Sequence, residues 1–163
     1  MSEIKAGVTL MQDFCVSQSD EFQSYIDYMD REEAQRNQAF QTYSLFHDYM
    51  DNPEKSTGLF TSKIDRVDLK QKKELKELFQ KAQENGSNMW QTVISFDNRW
   101  LEKNGIMDTN TNYIDEAQLR RVARYGINKM LQAEGLELAT WCASFHYNTD
   151  NIHIHVATVE PYP

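Results

Sequence analysis

Two periods run through the apolar positions of this chain, and the switches between them mark its elements. Residues from Ile4 to Val16 suit one strand or a bent pair of strands. Ser17-Gln18-Ser19-Asp20 follows, with hydroxyl and carboxylate groups suited to capping a helix. The predicted helix runs from about Asp20 to Gln38. Phe22, Ile26, Met29 and Glu33 share a narrow sector of its wheel, with Tyr25 at the edge. Tyr28 falls roughly 100° off that stripe, which leaves a large phenol half exposed. Phe40 to Met50 reads as a helical turn or short helix, Asp51-Asn52-Pro53 as a loop, and Gly58-Leu59-Phe60-Thr61 as a short strand. Leu75, Leu78, Phe79 and Ala82 place a helix over Asp68 to Glu84, ended by Asn85-Gly86-Ser87-Asn88.

Met89 to Phe96 is a predicted strand, with Trp90, Thr92, Ile94 and Phe96 on one side and Asp97 at its end. Gly105 to Asn112 reads as a polar loop. A second long helix runs from Asp115 to about Glu134, with Gln118 placed for a capping box and Gly135 as its stop. Leu119, Val122, Ala123, Ile127, Met130 and Leu131 supply its apolar side. Ala139 to Tyr147 is the next strand. The turn formers Asn148-Thr149-Asp150-Asn151 follow, and Ile152, Ile154 and Val156 then alternate with His153 and His155. The order is strand, helix, loop, helix, strand, helix, hairpin. It predicts an α+β fold, a single domain over residues 1–163. The expected architecture is a mainly antiparallel sheet with helices packed on one face and the histidines on the other.

The hairpin carries the candidate chemistry. Residues two apart in a strand share a face, so His153 and His155 point the same way. If the tip is Thr149-Asp150, or the four-residue loop from Asn148 to Asn151, then Tyr147 lies opposite Ile152 and His146 opposite His153. Directly paired residues have Cβ atoms roughly 4.5–5.5 Å apart, so one metal ion can reach three imidazoles from two strands. A three-residue loop breaks this register. Three nitrogen ligands leave coordination positions open, which favours a catalytic over a closed structural site. Three imidazoles suit a transition metal better than Mg²⁺, though one divalent ion of Mn, Mg or Zn is expected. Asp97, at the end of a neighbouring strand, is a candidate to orient a histidine by a hydrogen bond. His47, with no histidine near it in sequence, reads as a surface or packed residue.

Composition narrows the classes. Of 163 residues, 40% are hydrophobic and 26% charged, as in ordinary soluble proteins. No apolar run approaches membrane-spanning length, and the first residues lack a signal-peptide core, so the expected location is the cytoplasm. Cys15 and Cys142 stand isolated in apolar strand-like segments and read as buried thiols. The net charge of -8 argues against a general polyanion binder, so any nucleic-acid surface must be local. Arg120, Arg121 and Arg124 make the Asp115–Glu134 helix the densest basic helix and the first candidate for DNA binding. The lysines of the Asp68–Glu84 helix are mixed with glutamates.

His146, six intervening residues and then His153-Ile154-His155 resemble the third motif of the His-hydrophobic-His (HUH) relaxases, the conjugative DNA-nicking enzymes of mobilisable plasmids and integrative elements. Tyr25-Ile26-Asp27-Tyr28-Met29-Asp30-Arg31 is similar to the nucleophile motif of their Mob-type (MOB-P) branch, in which a Tyr or His stands three residues before an Arg, as Tyr28 does before Arg31. The chain departs from many relatives in carrying Asn148 where they have Asp. Family members are usually longer, so the chain resembles a catalytic domain without its C-terminal part.

The resemblance implies a mechanism. A divalent metal on His146, His153 and His155 binds the scissile phosphate and neutralises developing charge. Tyr28, with Tyr25 as its neighbour in the motif, attacks phosphorus and leaves a 5′-phosphotyrosyl link and a free 3′-hydroxyl. The implied partners are single-stranded DNA at an origin of transfer and accessory relaxosome proteins. Two other classes stay open at this level: a metal-dependent nuclease or rolling-circle replication initiator using the same histidines, and a non-catalytic DNA-binding or interaction domain.

Overall fold

The computed structural model describes residues 8–16, 24–30, 58–108, 110–111, 113–147 and 151–161. Five strands form one sheet: β1 (Val8–Cys15), β2 (Leu59–Thr61), β3 (Met89–Asp97), β6 (Thr140–Tyr147) and β7 (Asn151–Val159). Their order is β1-β3-β7-β6-β2, and every neighbouring pair is antiparallel. A two-stranded ribbon, β4 (Met107–Asp108) with β5 (Tyr113–Ile114), lies within and just beyond the stretch expected to be a polar loop. The helices are α1 over 24–30, α2 (Leu69–Glu84), α3 (Asn98–Lys103) and α4 (Glu116–Ala133). The rest of the predicted 20–38 helix, the 40–50 segment with His47, and Arg31 lie outside the described residues.

Helix ends follow local chemistry. Asp68 and Gln71 form a capping box on α2, the carboxylate accepting from the Gln71 N–H at 2.7 Å and the Gln71 amide oxygen from the Asp68 N–H at 2.9 Å. Asp115 caps α4 by accepting from the Gln118 N–H at 3.0 Å. Gly135 ends that helix at φ +73°, a left-handed value that glycine adopts without strain, and the Leu136 N–H then reaches the Leu131 carbonyl at 2.7 Å.

Helices cover both faces of the sheet, which corrects the expectation of helices on one face. On one face, Phe60, Phe96, Trp141, Phe145, Ile152, Ile154 and Val156 form a core with Leu101 of α3 and with Leu119, Ala123, Ile127 and Leu131 of α4. On the other, Leu59, Met89, Cys142, Ala157 and Val159 form a second core with Ile26 and Met29 of α1 and Phe79 and Ala82 of α2. The reason lies in the inner strands. Trp141-Cys142-Ala143-Ser144-Phe145 and Val156-Ala157-Thr158-Val159 are buried at every position. Strands apolar on both sides need cover on both sides. The alternation that suggested one solvated face holds only for the first half of β7.

Candidate active site

The register of β6 against β7 sets the site. Tyr147 pairs with Ile152, His146 with His153 and Ser144 with His155. This is the pairing expected from a turn at 148–151, so the three imidazoles share one face. It is the face of the second core. Going along β6, Cys142, Ser144 and His146 succeed one another on that side, and along β7 Val159, Ala157, His155 and His153 do so. On β7 one two-residue step, about 7 Å, separates His155 from Ala157 of that core, and on β6 two such steps separate His146 from Cys142. The His146 ring is buried and stacks on His155, with centroids 3.8 Å apart.

Neighbouring strands add polar atoms that sequence reasoning missed. Ser95 on β3 pairs with His153, and its hydroxyl lies 2.8 Å from His153 Nδ1. That contact orients the ring and directs Nε2 away from the hydroxyl. The signal was present as a serine on the same side of β3 as Asp97, but the register across two strands was needed to read it. Asp97 itself accepts from the Arg99 N–H at 2.8 Å and caps α3. Ser144 Oγ, His146 Nε2 and His155 Nδ1 are buried atoms with no hydrogen-bond partner among the described residues.

Three imidazoles are a suitable donor set for a divalent transition metal. As the rings stand, however, no three His, Cys, Asp or Glu side chains among the described residues are gathered closely enough to hold one ion. The His146 and His155 rings lie face to face, so gathering all three imidazoles on one ion requires a change of side-chain rotamer.

α1 brings the tyrosines to the same face. Ile26 and Met29 anchor it in the second core. Tyr25 is partly buried against that core, whereas Tyr28 is 40% exposed. Their rings stack at 5.9 Å between centroids. The opposite flank of α1 carries Asp27 and Asp30. Lys72 of α2 reaches Asp27 at 3.1 Å and Asp30 at 2.8 Å, and Lys76 reaches Asp27 at 2.8 Å. Burial works against both charged forms, but the hydrogen bonds and opposite charges outweigh it: the Asp27 carboxyl lies below its ordinary value and the Lys72 ammonium above its own.

The arginines do not join this site. Arg120 is buried, pairs with Glu116 at 3.4 Å and lies over the Phe145 ring at 5.5 Å from its centroid. Arg124 donates from Nε to the Thr61 carbonyl at 3.0 Å and pairs with Asp65 at 2.7 Å. Both sit on α4, across the sheet from the histidines, and both are held by local partners, unlike the free basic surface expected of a DNA contact. Arg121 is exposed on the same helix. Their spacing places Arg120 and Arg124 on one flank of α4, where the side-chain stems cover the core edge and the charges meet local acids. Cys142 is fully buried, and burial pushes its thiol up to about 12, so it is an inert packing residue. The Cys15 side chain lies outside the described residues.

The chain is thus an α+β domain in which a histidine-bearing antiparallel sheet and a tyrosine-bearing helix share one face. The family of MobL relaxases matches the chain over residues 5–163. The chain belongs to that family, and its general activity is that of a DNA relaxase acting in conjugative mobilisation. No curated protein and no solved structure matches it. No helix among the described residues is long and apolar enough to cross a membrane.

Proposed function

We propose that this chain nicks one strand of DNA at an origin of transfer and rejoins it through a covalent tyrosyl intermediate. The observation that carries the reading is the register that groups His146, His153 and His155 on the face shared with the tyrosine-bearing helix. Tyr28 is the nucleophile in this reading. Its hydroxyl is on the exposed flank of α1, whereas Tyr25 packs. The Tyr28 Oη bonds to phosphorus as the bond from phosphorus to the 3′-oxygen breaks. The phenol proton is lost, and the departing 3′-oxygen takes up a proton to become a hydroxyl. The phosphodiester formed on tyrosine is similar in energy to the one lost, so attack by a 3′-hydroxyl reverses the step and reseals a strand.

His146, His153 and His155 are the residues that would hold a divalent ion. Bound there, it would supply charge neutralisation at the phosphoryl oxygens. Ser95 holds the His153 ring, and the β6–β7 register keeps His146 and His155 beside it. Single-stranded DNA lies across this face, beside the exposed lysines of α2, rather than across α4. Arg31, three residues beyond Tyr28, is assigned to the scissile phosphate by the motif it completes. Accessory relaxosome proteins are the expected partners in the cell.

The test is a denaturing gel with labelled single-stranded oligonucleotides that span the origin of transfer, in Mn²⁺, Mg²⁺ and Zn²⁺. Wild type and Tyr25→Phe should give a protein–DNA adduct that maps to Tyr28. Tyr28→Phe should give none while keeping its fold and oligonucleotide affinity. Cleavage without any adduct would replace transesterification by hydrolysis.

A further inference from the structure

We propose that Lys72 is a positioning residue that fixes the roll of α1, and so the direction of Tyr28. The inference rests on the assignment of Tyr28 as nucleophile. α1 is anchored in the second core through Ile26 and Met29, both fully buried, with Tyr25 partly buried beside them. Apolar contact on one side of a helix resists lifting better than a small rotation about its own axis, because hydrophobic contact is non-directional. The ion pairs add the missing direction. Asp27 and Asp30, three apart, lie on one flank of α1. The Lys72 ammonium sits between them, 3.1 Å from Asp27 and 2.8 Å from Asp30. The second oxygen of Asp30 also accepts from the Gly58 N–H at 3.0 Å, which ties the same carboxylate to the start of β2.

The Tyr25–Tyr28 stack occupies the opposite flank, so pinning one flank aims the other. A phenol oxygen lies on the order of 9 Å from its helix axis, and a roll of about 10° moves it by roughly 1.5 Å. A misplacement of about 1 Å at a reacting atom can lower a rate on the order of 100-fold. Lys72 is also set apart from the other pair. Its side chain is 18% exposed, against 37% for Lys76, which among the described residues pairs with Asp27 alone. A shielded ammonium shared by two carboxylates holds geometry that a solvated pair does not.

The experiment measures single-turnover adduct formation at saturating oligonucleotide, alongside oligonucleotide Kd and Tm. Lys72→Met should slow adduct formation at least tenfold with Kd within about twofold of wild type. Lys72→Arg should restore most of the rate, because it keeps a cation between the two carboxylates. Lys76→Met should change the rate by less than threefold. If Lys72→Met does not fold, Asp27→Asn, at a half-exposed side chain, carries the test and should slow the rate while leaving Kd unchanged. An unchanged rate in Lys72→Met, or in Asp27→Asn where that variant stands in, overturns the proposal. So does a weakened Kd with an unchanged saturated rate, which would make Lys72 a DNA contact. Absence of an adduct in wild type would instead overturn the assignment of Tyr28, a separate result.

Discussion

At the scale of single residues, the histidines and the arginines show how position decides role. His153 is held by Ser95 at 2.8 Å. Outer contacts of this kind typically change metal affinity 10–100-fold when removed, so Ser95→Ala should weaken metal binding roughly 10-fold, read by competition with a chelating dye. His146→Ala, His153→Ala and His155→Ala should each lose most bound metal on elemental analysis, with His47→Ala as the control that keeps it. Equal metal content in all four variants would remove the site. Arg120→Ala should behave as a core mutation. It strips buried Glu116 of this partner, a change that costs about 3 kcal/mol or more, measurable by urea unfolding. The double variant Arg120→Met with Glu116→Gln should recover much of that loss, since no charge is then left buried. Binding of single-stranded DNA should be unaffected in either Arg120 variant that folds. The tyrosine's place off the buried stripe was legible from the helical wheel, because 3.6-residue periodicity is a local property. The fate of Arg120 and Arg124 was not. A basic flank on a wheel looks the same whether it faces solvent or the aromatic edge formed by Phe60 and Phe145.

At the scale of elements, the pairing of α1 with α2 has a defined pH response. Asp27 has its pKa lowered from 3.8, so its contribution is present above that value and is lost as the pH falls through the lower folded value. Lys72 has its pKa raised from 10.5, so its contribution is present below that value and is lost as the pH rises through the higher folded value. The α1–α2 contact should therefore be constant across the neutral range and loosen at both extremes. Hydrogen exchange of the α1 amides should accelerate in acid below the ordinary carboxylate range, after correction for intrinsic rates. Asp27→Asn should flatten the acid limb. The elements themselves were well marked: α2, α4, β3 and β6 fall within a few residues of their predicted spans. The contact between α1 and α2 was not marked at all. Its hydrogen-bonded partners are 42 and 49 residues apart, and no local pattern links them.

At the scale of the whole molecule, an acidic chain must bind DNA through a limited surface. The net charge is -8, and two of the lysines on the histidine face are already engaged by Asp27 and Asp30. Few phosphates are neutralised in that case, and a plot of log Kd against log salt should be shallow. Lys73 is exposed on α2 and lines a cavity of about 380 Å³ with Lys72 and Lys76. Lys73→Ala should weaken oligonucleotide binding modestly and lower the magnitude of the salt slope by about 1, whereas Arg121→Ala on the far face should leave the slope unchanged. An Arg121→Ala effect as large as that of Lys73→Ala would put the DNA on the other side of the sheet.

The sequence by itself determined that His153 and His155 share a face, through the strict alternation of 152–156. Turn formers at 148–151 restricted the hairpin to a few registers, and the structure selected the one that sets His146 opposite His153. The sequence also determined the class of fold, since periods of 2 and 3.6 are properties of neighbouring residues. Only the tertiary structure decided which face each helix covers, because that depends on both sides of the inner strands at once. The tertiary structure alone placed Ser95 beside His153, Arg120 in the core and Lys72 between two carboxylates of α1. Each of those contacts joins residues on different elements, and a contact made by the packing of elements leaves no periodic trace in either of them.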